Sequence, residues 1–331
     1  MRIRRNLLWI SLVMLLVLCL FGVDVKTSSA VVSPAIMVIP QNTLDETLTK
    51  GETFTVSITT DYTGSDVWGY EFTLSYNASI LHIEPLNKTD TWTGDGTEDT
   101  FNTTMKPVIE DSETVYVNDV PSTFYSITYE EGRIWFFPFA IPDPGDEVRV
   151  EYQYNIVNGD LITKDKADSA RFAAGTFNNT LGTLSLTTAW FFYSTKPVNI
   201  TSGPGIMANV TFTAVDYGIS NITLGDDTRL IGWTDGGMGE AYDIINAKYN
   251  PDHIQHGYFS NKIPGDIDGD KDVDPFDFSA FRVAYGSKGP PQVPVPDPNY
   301  DLQADLDLDG DVDPFDFSTF RVNYGRLAPD P

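Results

Sequence analysis

A twelve-residue, aspartate-rich loop occurs twice near the C-terminus, and this duplication constrains the fold more than any other feature of the sequence. The two loops span 266–277 and 305–316, an offset of 39 residues. Both carry aspartate at positions 1, 3, 5, 7, 9 and 12, and both run into the same Pro-Phe-Asp-Phe-Ser segment. So many carboxylates in one short loop repel each other unless a cation lies among them.

The residue type and the spacing predict one calcium ion in each loop. Calcium takes about six to eight oxygen ligands, and acids on alternate residues can surround a single ion. The acids at positions 1, 3, 5 and 12 are the predicted side-chain ligands, position 7 offers its backbone carbonyl, and position 9 acts through a water. The predicted metal-binding residues are Asp266, Asp268, Asp270, Asp272, Asp274 and Asp277 in the first loop, and Asp305, Asp307, Asp309, Asp311, Asp313 and Asp316 in the second.

Two positions depart from the helix-loop-helix calcium motif known as the EF-hand. The twelfth residue is Asp, which has a shorter arm than the Glu of that motif. The sixth residue needs a positive φ, and it is Gly310 in the second loop but Lys271 in the first. A non-glycine residue in that conformation costs about 1 kcal/mol, so the sequence predicts weaker calcium binding in the first loop.

One short helix is predicted after each loop, and none before it. Pro275 and Pro314 suit a first helical turn, while Gly286 and Gly325 suit a helix end. The proline-rich segment 289–298 between the repeats predicts a stiff, extended connector.

The loop acids, the hydrophobic residue at position 8 (Val273 and Val312) and the single helix per loop resemble the dockerin family over residues 264–326. The resemblance implies a type I dockerin module at 262–331 with two nearly symmetric docking faces. The partner-binding residues that it implies are Pro275, Phe276, Arg282, Val283, Pro314, Phe315, Arg321 and Val322. Family members that assemble cellulosomes often carry small hydroxyl residues where this chain has Pro-Phe, so the type of partner stays open. The alternative is that the two phenylalanines fill the module's own core.

The region before the module has the short alternating runs of β-strands. Runs such as 53–58 and 148–154 alternate with period 2, and Gly, Pro, Asn and Asp separate them. This pattern predicts a mainly β fold, a two-sheet sandwich over 31–261.

Parts of this β-region resemble the cohesin family, whose β-sandwiches bind dockerins. The segments that carry the resemblance are 50–56 and 68–77 near the start, and 206–214 with 218–224 as a late hairpin. The region is longer than a cohesin domain, and the excess, at about 97–172, predicts an inserted β subdomain.

The N-terminus has the features of an export signal. Arginines precede an apolar stretch at 7–23, and Ser28 and Ala30 fit a signal-peptidase site, so residues 1–30 are a predicted signal peptide. The protein is then secreted or held at the cell surface, with no membrane span left after cleavage. The alternative is an uncleaved anchor, because the apolar stretch is only just long enough to span a bilayer.

Seven Asn-x-Ser/Thr sequons agree with an extracellular location. The predicted glycosylation sites are Asn77, Asn87, Asn102, Asn178, Asn199, Asn209 and Asn221. The single cysteine, Cys19, lies in the apolar stretch, so the rest of the chain has no disulfide, thiolate zinc site or cysteine nucleophile.

Charge and motif content narrow the function. A net charge of −26 makes nucleic acid an unsuitable partner, because phosphate binding needs clustered Lys and Arg. The three histidines, His82, His253 and His256, occur in no catalytic motif. We therefore expect a non-catalytic scaffold or adaptor for calcium-dependent assembly with cohesin- or dockerin-bearing proteins, including self-assembly. The alternatives are a carbohydrate-binding protein that uses Trp92, Trp190 or Trp233, and a polysaccharide hydrolase component.

Overall fold

The computed structural model describes residues 32–64, 67–162, 170–191, 205–234, 240–290, 292–293 and 295–328. The predicted signal peptide and Asn199 lie outside these ranges. No helix within the described ranges is both long enough and apolar enough to cross a membrane.

The chain is mainly β, with short strands up to residue 260 and two helices after it. The strands are β1 (Ile36–Ile39), β2 (Asn42–Leu44), β3 (Thr53–Thr60), β4 (Val67–Ser75), β5 (Leu81–His82), β6 (Leu86–Thr93), β7 (Thr100–Asn102), β8 (Thr114–Val117), β9 (Val120–Pro121), β10 (Tyr125–Thr128), β11 (Arg133–Phe136), β12 (Glu147–Tyr154), β13 (Ile156–Asn158), β14 (Ala170–Ala173), β15 (Phe177–Asn178), β16 (Thr183–Phe191), β17 (Gly205–Ala214), β18 (Ile219–Leu224), β19 (Arg229–Trp233), β20 (Ala241–Asn246), β21 (Ile254–Gln255) and β22 (Gly257–Ser260). A short 3-10 helix, Pro251–His253, precedes β21.

Two sheets form the predicted sandwich. One has the strand order β13-β17-β3-β1-β21, with β5 paired to β17, and the other has the order β14-β16-β4-β18-β22-β2, extended by β15, β19 and β20. Alternate residues of the central strands face a shared core, so Phe72 of β4 and Phe212 of β17 are fully buried. This period-2 burial is the physical reason why the alternating runs predicted the strands correctly.

The late hairpin predicted at 206–214 and 218–224 is wrong. These segments are strands β17 and β18, but β17 pairs with β3 in one sheet and β18 pairs with β22 and β4 in the other. The turn between them crosses from one sheet to the other. Both strands bury alternate apolar residues in the common core, which requires that they lie on opposite sides of it.

A separate pair of small sheets lies between β5 and β13. One has the order β6-β12-β8-β9 and the other β10-β11-β7. These strands run from Leu86 to Tyr154, whereas the sequence predicted an insertion at 97–172. The difference arises because β6 pairs with β12 along its whole length, while β13 and β14 pair with strands of the sandwich. The insertion has its own core of Phe101, Val108, Val115, Ile134, Phe136, Val148, Val150 and Tyr152.

The C-terminal module contains helix α1 (Pro275–Ala284) and helix α2 (Pro314–Asn323), both as predicted. Each helix begins with a capping box, in which the Asp before the proline accepts a hydrogen bond from the backbone N–H of the residue after the proline. Gly286 and Gly325 follow the helices with φ values of 85° and 83°. The local sequence alone therefore accounts for the helix boundaries.

The two repeats form backbone hydrogen bonds with each other through the hydrophobic residue at loop position 8. Val273 exchanges backbone hydrogen bonds with Gly325 (2.7 Å) and Arg326 (3.0 Å) of the second repeat. Val312 does the same with Gly286 (2.8 Å) and Ser287 (3.0 Å) of the first repeat. Each repeat therefore supplies backbone hydrogen bonds to the loop of the other.

The connector between the repeats is not extended. The backbone N–H of Asp297 bonds to the carbonyl of Lys288 at 2.8 Å, and the N–H of Lys288 bonds to the Asp297 carboxylate at 2.8 Å. These contacts close the segment into a loop.

We expect Phe72→Ala to lower the free energy of unfolding of the sandwich by about 3–5 kcal/mol, because it leaves a cavity among fully buried rings. Chemical denaturation followed by tryptophan fluorescence measures this, since no tryptophan follows residue 233 in the sequence. Tyr249→Ala is the control, because Tyr249 is 70% exposed and should change stability by less than about 0.5 kcal/mol. Equal effects of the two variants would contradict the assignment of the core.

Candidate calcium loops and docking face

The first loop brings four predicted ligands together. Carboxylate oxygens of Asp266, Asp268, Asp270 and Asp277 lie within 4.8 Å of one another. Asp277 also closes the loop, since its Oδ1 accepts from the N–H of Ile267 at 2.6 Å. This geometry needs a carboxylate at position 12, because one side chain both faces the other acids and binds the backbone.

The second loop repeats the arrangement with three carboxylates. Oxygens of Asp305, Asp307 and Asp316 lie within 4.8 Å of one another. Asp316 accepts from the N–H of Leu306 at 2.7 Å, as Asp277 does from Ile267. Asp309, a predicted ligand, is outside this group, and its N–H bonds to Asp305 at 3.1 Å.

The aspartates at loop positions 7 and 9 make other contacts than the carboxylate clusters described above. Asp274 and Asp313, at position 9, are the N-caps of the two helices. At position 7, Asp311 lies 4.0 Å from the ammonium group of Lys288. Asp272 lies near Asp274 and Asp277 instead, and one of its carboxylate oxygens is buried without a hydrogen bond.

The donor atoms gathered in the two loops are of the kind that binds calcium. All the gathered groups are hard carboxylate oxygens, the ligands that calcium prefers. Burial raises the pKa of Asp305 and the pKa of Asp316, and neighbouring acids raise both further. Ionised carboxylates in such a site are destabilised, and a divalent cation among them would offset the cost.

Backbone strain is shared equally by the two loops. Lys271 has the predicted positive φ, 79°, at position 6 of the first loop. The second loop has Gly310 there, but Leu308 at position 4 has a φ of 58°, whereas the first loop has Gly269. Each loop thus holds one glycine and one strained residue, and the predicted weaker first loop loses its physical basis. Aligning the two repeats would have revealed this exchange.

The predicted partner-binding residues form an exposed face on the two helices. Phe276 and Phe315 are 72% and 67% exposed, so the alternative that they fill the core is wrong. Phe281 and Phe320 fill it instead, with ring centroids 5.4 Å apart. The other six predicted residues, Pro275, Arg282, Val283, Pro314, Arg321 and Val322, are exposed too.

Sequence reasoning missed part of this face. Phe278 and Phe317 are about 40% exposed, and their rings lie 6.4 Å apart where the two helices meet. Tyr285 and Tyr324 are about half exposed at the helix ends. Their exact duplication between the repeats was the signal available in the sequence. With them, each helix carries exposed aromatic residues at the same positions, and Phe278 and Phe317 bring the two sets together.

The three histidines contact backbone groups in separate parts of the sandwich. His82 Nε2 lies 3.1 Å from the carbonyl of Ala78, and His253 Nδ1 lies 2.6 Å from the carbonyl of Pro34. His256 Nδ1 accepts from the N–H of Leu224 at 3.2 Å, and burial lowers the pKa of His256. The structure does not gather them into one site.

The candidate sugar-binding tryptophans do not share one surface. Trp92 packs on Phe101 in the insertion. Trp190 and Trp233 belong to strands that flank β4 on opposite sides, and Trp233 packs on Trp68.

The predicted glycosylation sites in the described residues differ in exposure. Asn209 is half-buried in β17, where its side-chain oxygen accepts from Ser57 at 2.6 Å. The exposed sites are Asn77, Asn87, Asn102, Asn178 and Asn221.

Similarity to known proteins was found only among solved structures. No protein-family model matches the chain, and no curated protein matches it. A type II cohesin domain from the cellulosome of Acetivibrio cellulolyticus is 14% identical, with 69% of this chain and 95% of that chain covered and a TM-score of 0.33. The third ScaC cohesin in complex with the ScaB dockerin from the same organism is 13% identical, with 68% and 96% covered and a TM-score of 0.32.

A third structure is similar at the same level. The seventh ScaB type I cohesin from Pseudobacteroides cellulosolvens is 12% identical, with 68% of this chain and 89% of that chain covered and a TM-score of 0.29. Identities and scores this low do not define a function. The function must therefore be inferred from the residues of this chain.

We expect Lys271→Gly and Leu308→Gly each to tighten calcium binding to its own loop by roughly three- to fivefold, because each relieves one left-handed residue. Isothermal titration calorimetry on the full chain measures both sites. If only Lys271→Gly binds calcium more tightly, the two loops are not equally strained, and the prediction that the first loop binds calcium more weakly is restored.

Proposed function

We propose that this protein is an extracellular, non-catalytic adaptor whose C-terminal module binds two calcium ions and docks on a cohesin-type sandwich of another protein. The observation that carries the proposal is the set of exposed apolar residues on α1 and α2, which occupy the same positions in both repeats, on helices that begin within the two acidic loops. Calcium binding alone does not require exposed apolar residues, and a module without a partner would be expected to bury its phenylalanines. The dockerin resemblance of residues 264–326 supports the same function.

Calcium has a structural part in this proposal. The module has a small core of Ile263, Ile267, Val273, Phe281, Ala284, Ala304, Val312 and Phe320. A core of this size supplies little stability on its own, and small modules commonly depend on a metal to fold. Ions in the loops would hold the N-terminal ends of α1 and α2, which start at position 10 of each loop, and would thereby hold the docking face.

The partner is a protein surface in this proposal. Aromatic residues and arginine are enriched at the centres of protein interfaces, and the face combines Phe276, Phe315, Arg282 and Arg321. An exported location follows from the predicted signal peptide. Binding of polysaccharide by the sandwich and head-to-tail self-assembly stay hypotheses, and the experiments below include both as outcomes.

We expect the full chain to bind two calcium ions, and Asp277→Ala and Asp316→Ala to bind one each, because each substitution opens one loop at its closing residue. Calorimetric titration after EGTA treatment gives the number of ions. Asp95→Ala, an exposed acid outside the module, is the control and should keep both sites. Calcium at about 100 times its Kd should stabilise the module by about 2.7 kcal/mol. Absence of binding by the unsubstituted chain would refute the proposal.

We expect the two halves of the docking face to substitute for one another. Val283→Asp or Val322→Asp alone should weaken binding to a purified cohesin domain about twofold, because the other half stays intact. The double variant should lose at least about 30-fold, as when an interface hot spot is removed. Surface plasmon resonance against a panel of cohesin domains, with calcium and then with EGTA, measures this.

The control variant for docking is Leu181→Asp, because Leu181 is 70% exposed on the sandwich, away from the helices. Binding that survives the double variant or the removal of calcium would count against docking through this face. Light scattering of the full chain at high concentration tests self-assembly. A glycan array tests polysaccharide binding.

A further inference from the structure

The two calcium loops differ in how their first aspartate is supported. In the second loop, the hydroxyl of Tyr300 donates to Asp305 Oδ2 at 2.8 Å. Tyr300 lies five residues before the loop, in the same module. The corresponding residue of the first repeat, 39 residues earlier, is Asn261. The first repeat therefore has no tyrosine of its own for Asp266, although Asp266 is as deeply buried as Asp305.

A tyrosine of the sandwich contacts the first loop instead. Tyr217 lies in the turn from β17 to β18, and its ring centroid lies 5.8 Å from the ammonium nitrogen of Lys271 in the first loop. Its hydroxyl accepts from the N–H of Ile263 at 2.9 Å, and the carbonyl of Ile263 in turn accepts from the N–H of Asp266 at 3.0 Å. Ile263 belongs to the core of the C-terminal module, so Tyr217 contacts both the first loop and the residue that leads into it.

Asn261, the residue that replaces the missing tyrosine, holds the turn that carries Tyr217. Its side-chain oxygen accepts from the N–H of Gly218 at 2.8 Å. Its side-chain nitrogen donates to the carbonyls of Leu48 at 3.1 Å and Asp216 at 3.3 Å. Asn261 is buried, and all three bonds reach back into the sandwich. The substitution of Asn for Tyr in the first repeat is thus matched by a contact that positions the substitute.

Further contacts join the sandwich to the first loop. The guanidinium of Arg326 makes two hydrogen bonds to the Glu46 carboxylate, at 3.0 and 2.8 Å, and the carbonyl of Arg326 accepts from Val273 of the first loop. A cavity of about 380 Å³ lies between the sandwich and the module, and its lining includes Tyr258 of the sandwich, Asp266 of the first loop and Leu308 of the second. The contacts made by Tyr217 and Glu46 therefore reach the first loop beside this cavity.

We propose that the sandwich completes the first calcium loop through Tyr217, so that calcium binding to this loop and packing of the module on the sandwich are coupled. Tyr217 is a positioning residue, because it acts through Ile263, whose carbonyl accepts from the N–H of Asp266. The inference rests on the proposed calcium binding. Coupling of this kind is reciprocal, so calcium should strengthen the packing as much as the packing strengthens calcium binding.

The test uses the full chain, with calcium binding by one loop removed at a time. In the Asp316→Ala background only the first loop binds, and Tyr217→Phe should weaken that binding by roughly fivefold, the size expected for the loss of the neutral hydrogen bond from the N–H of Ile263. In the Asp277→Ala background only the second loop binds, and Tyr217→Phe should leave its Kd within about twofold. Tyr300→Phe is the matched control and should give the reverse pattern.

A second measurement separates positioning from general loss of structure. Amide hydrogen exchange at 216–218 should slow when calcium is added to the unsubstituted chain, and this protection should be lost in Tyr217→Phe. Glu46→Gln touches neither loop and should weaken the first loop a few-fold while sparing the second.

Two results would overturn the inference in different ways. Two bound ions with an unchanged first loop in Tyr217→Phe would overturn the coupling and leave the proposed function standing. Absence of calcium binding by the unsubstituted chain would remove the proposed function and the coupling together.

Discussion

Repulsion among closely spaced carboxylates is the constraint on which the C-terminal module of this protein depends. Residues 264–331 hold 15 Asp against five Lys and Arg, a net charge of −10, and most of these acids lie in two short loops. The loops are also the starts of both helices, because the acids at positions 9 and 12 form the capping boxes. Loop charge, helix starts and the small core therefore form one unit, and a cation that relieves the repulsion acts on all three.

Local physics made much of this structure predictable. Alternating hydrophobicity located the strands, and proline and glycine located the helices, because these patterns act within a few residues. The crossing between β17 and β18 was not predictable in the same way, since a hairpin and a crossing turn have the same local pattern. The bounds of the insertion differ from the predicted bounds for a related reason. Strand β6 belongs to the insertion because it pairs with β12, some sixty residues away in the sequence.

The metal-ligand residues of the site could be predicted from the sequence, but the residues that hold the loops in place could not. Aspartate spacing indicated which residues gather, whereas Tyr217 has no sequence pattern that links it to the first loop. Comparison of the two repeats carries more information than either repeat alone: Gly269 matches Leu308, and Asn261 matches Tyr300. At the second of these differences, the residue that contacts the first loop comes from the sandwich.

The short passage from sandwich to module determines how the protein carries a mechanical load. Strand β22 ends at Ser260 and the first loop begins at Asp266, so a pull on the module enters the sandwich along β22. This strand is bonded to β18 on one side and, in parallel, to β2 on the other. Force along the strand therefore loads its hydrogen bonds to both neighbours at the same time, in shear.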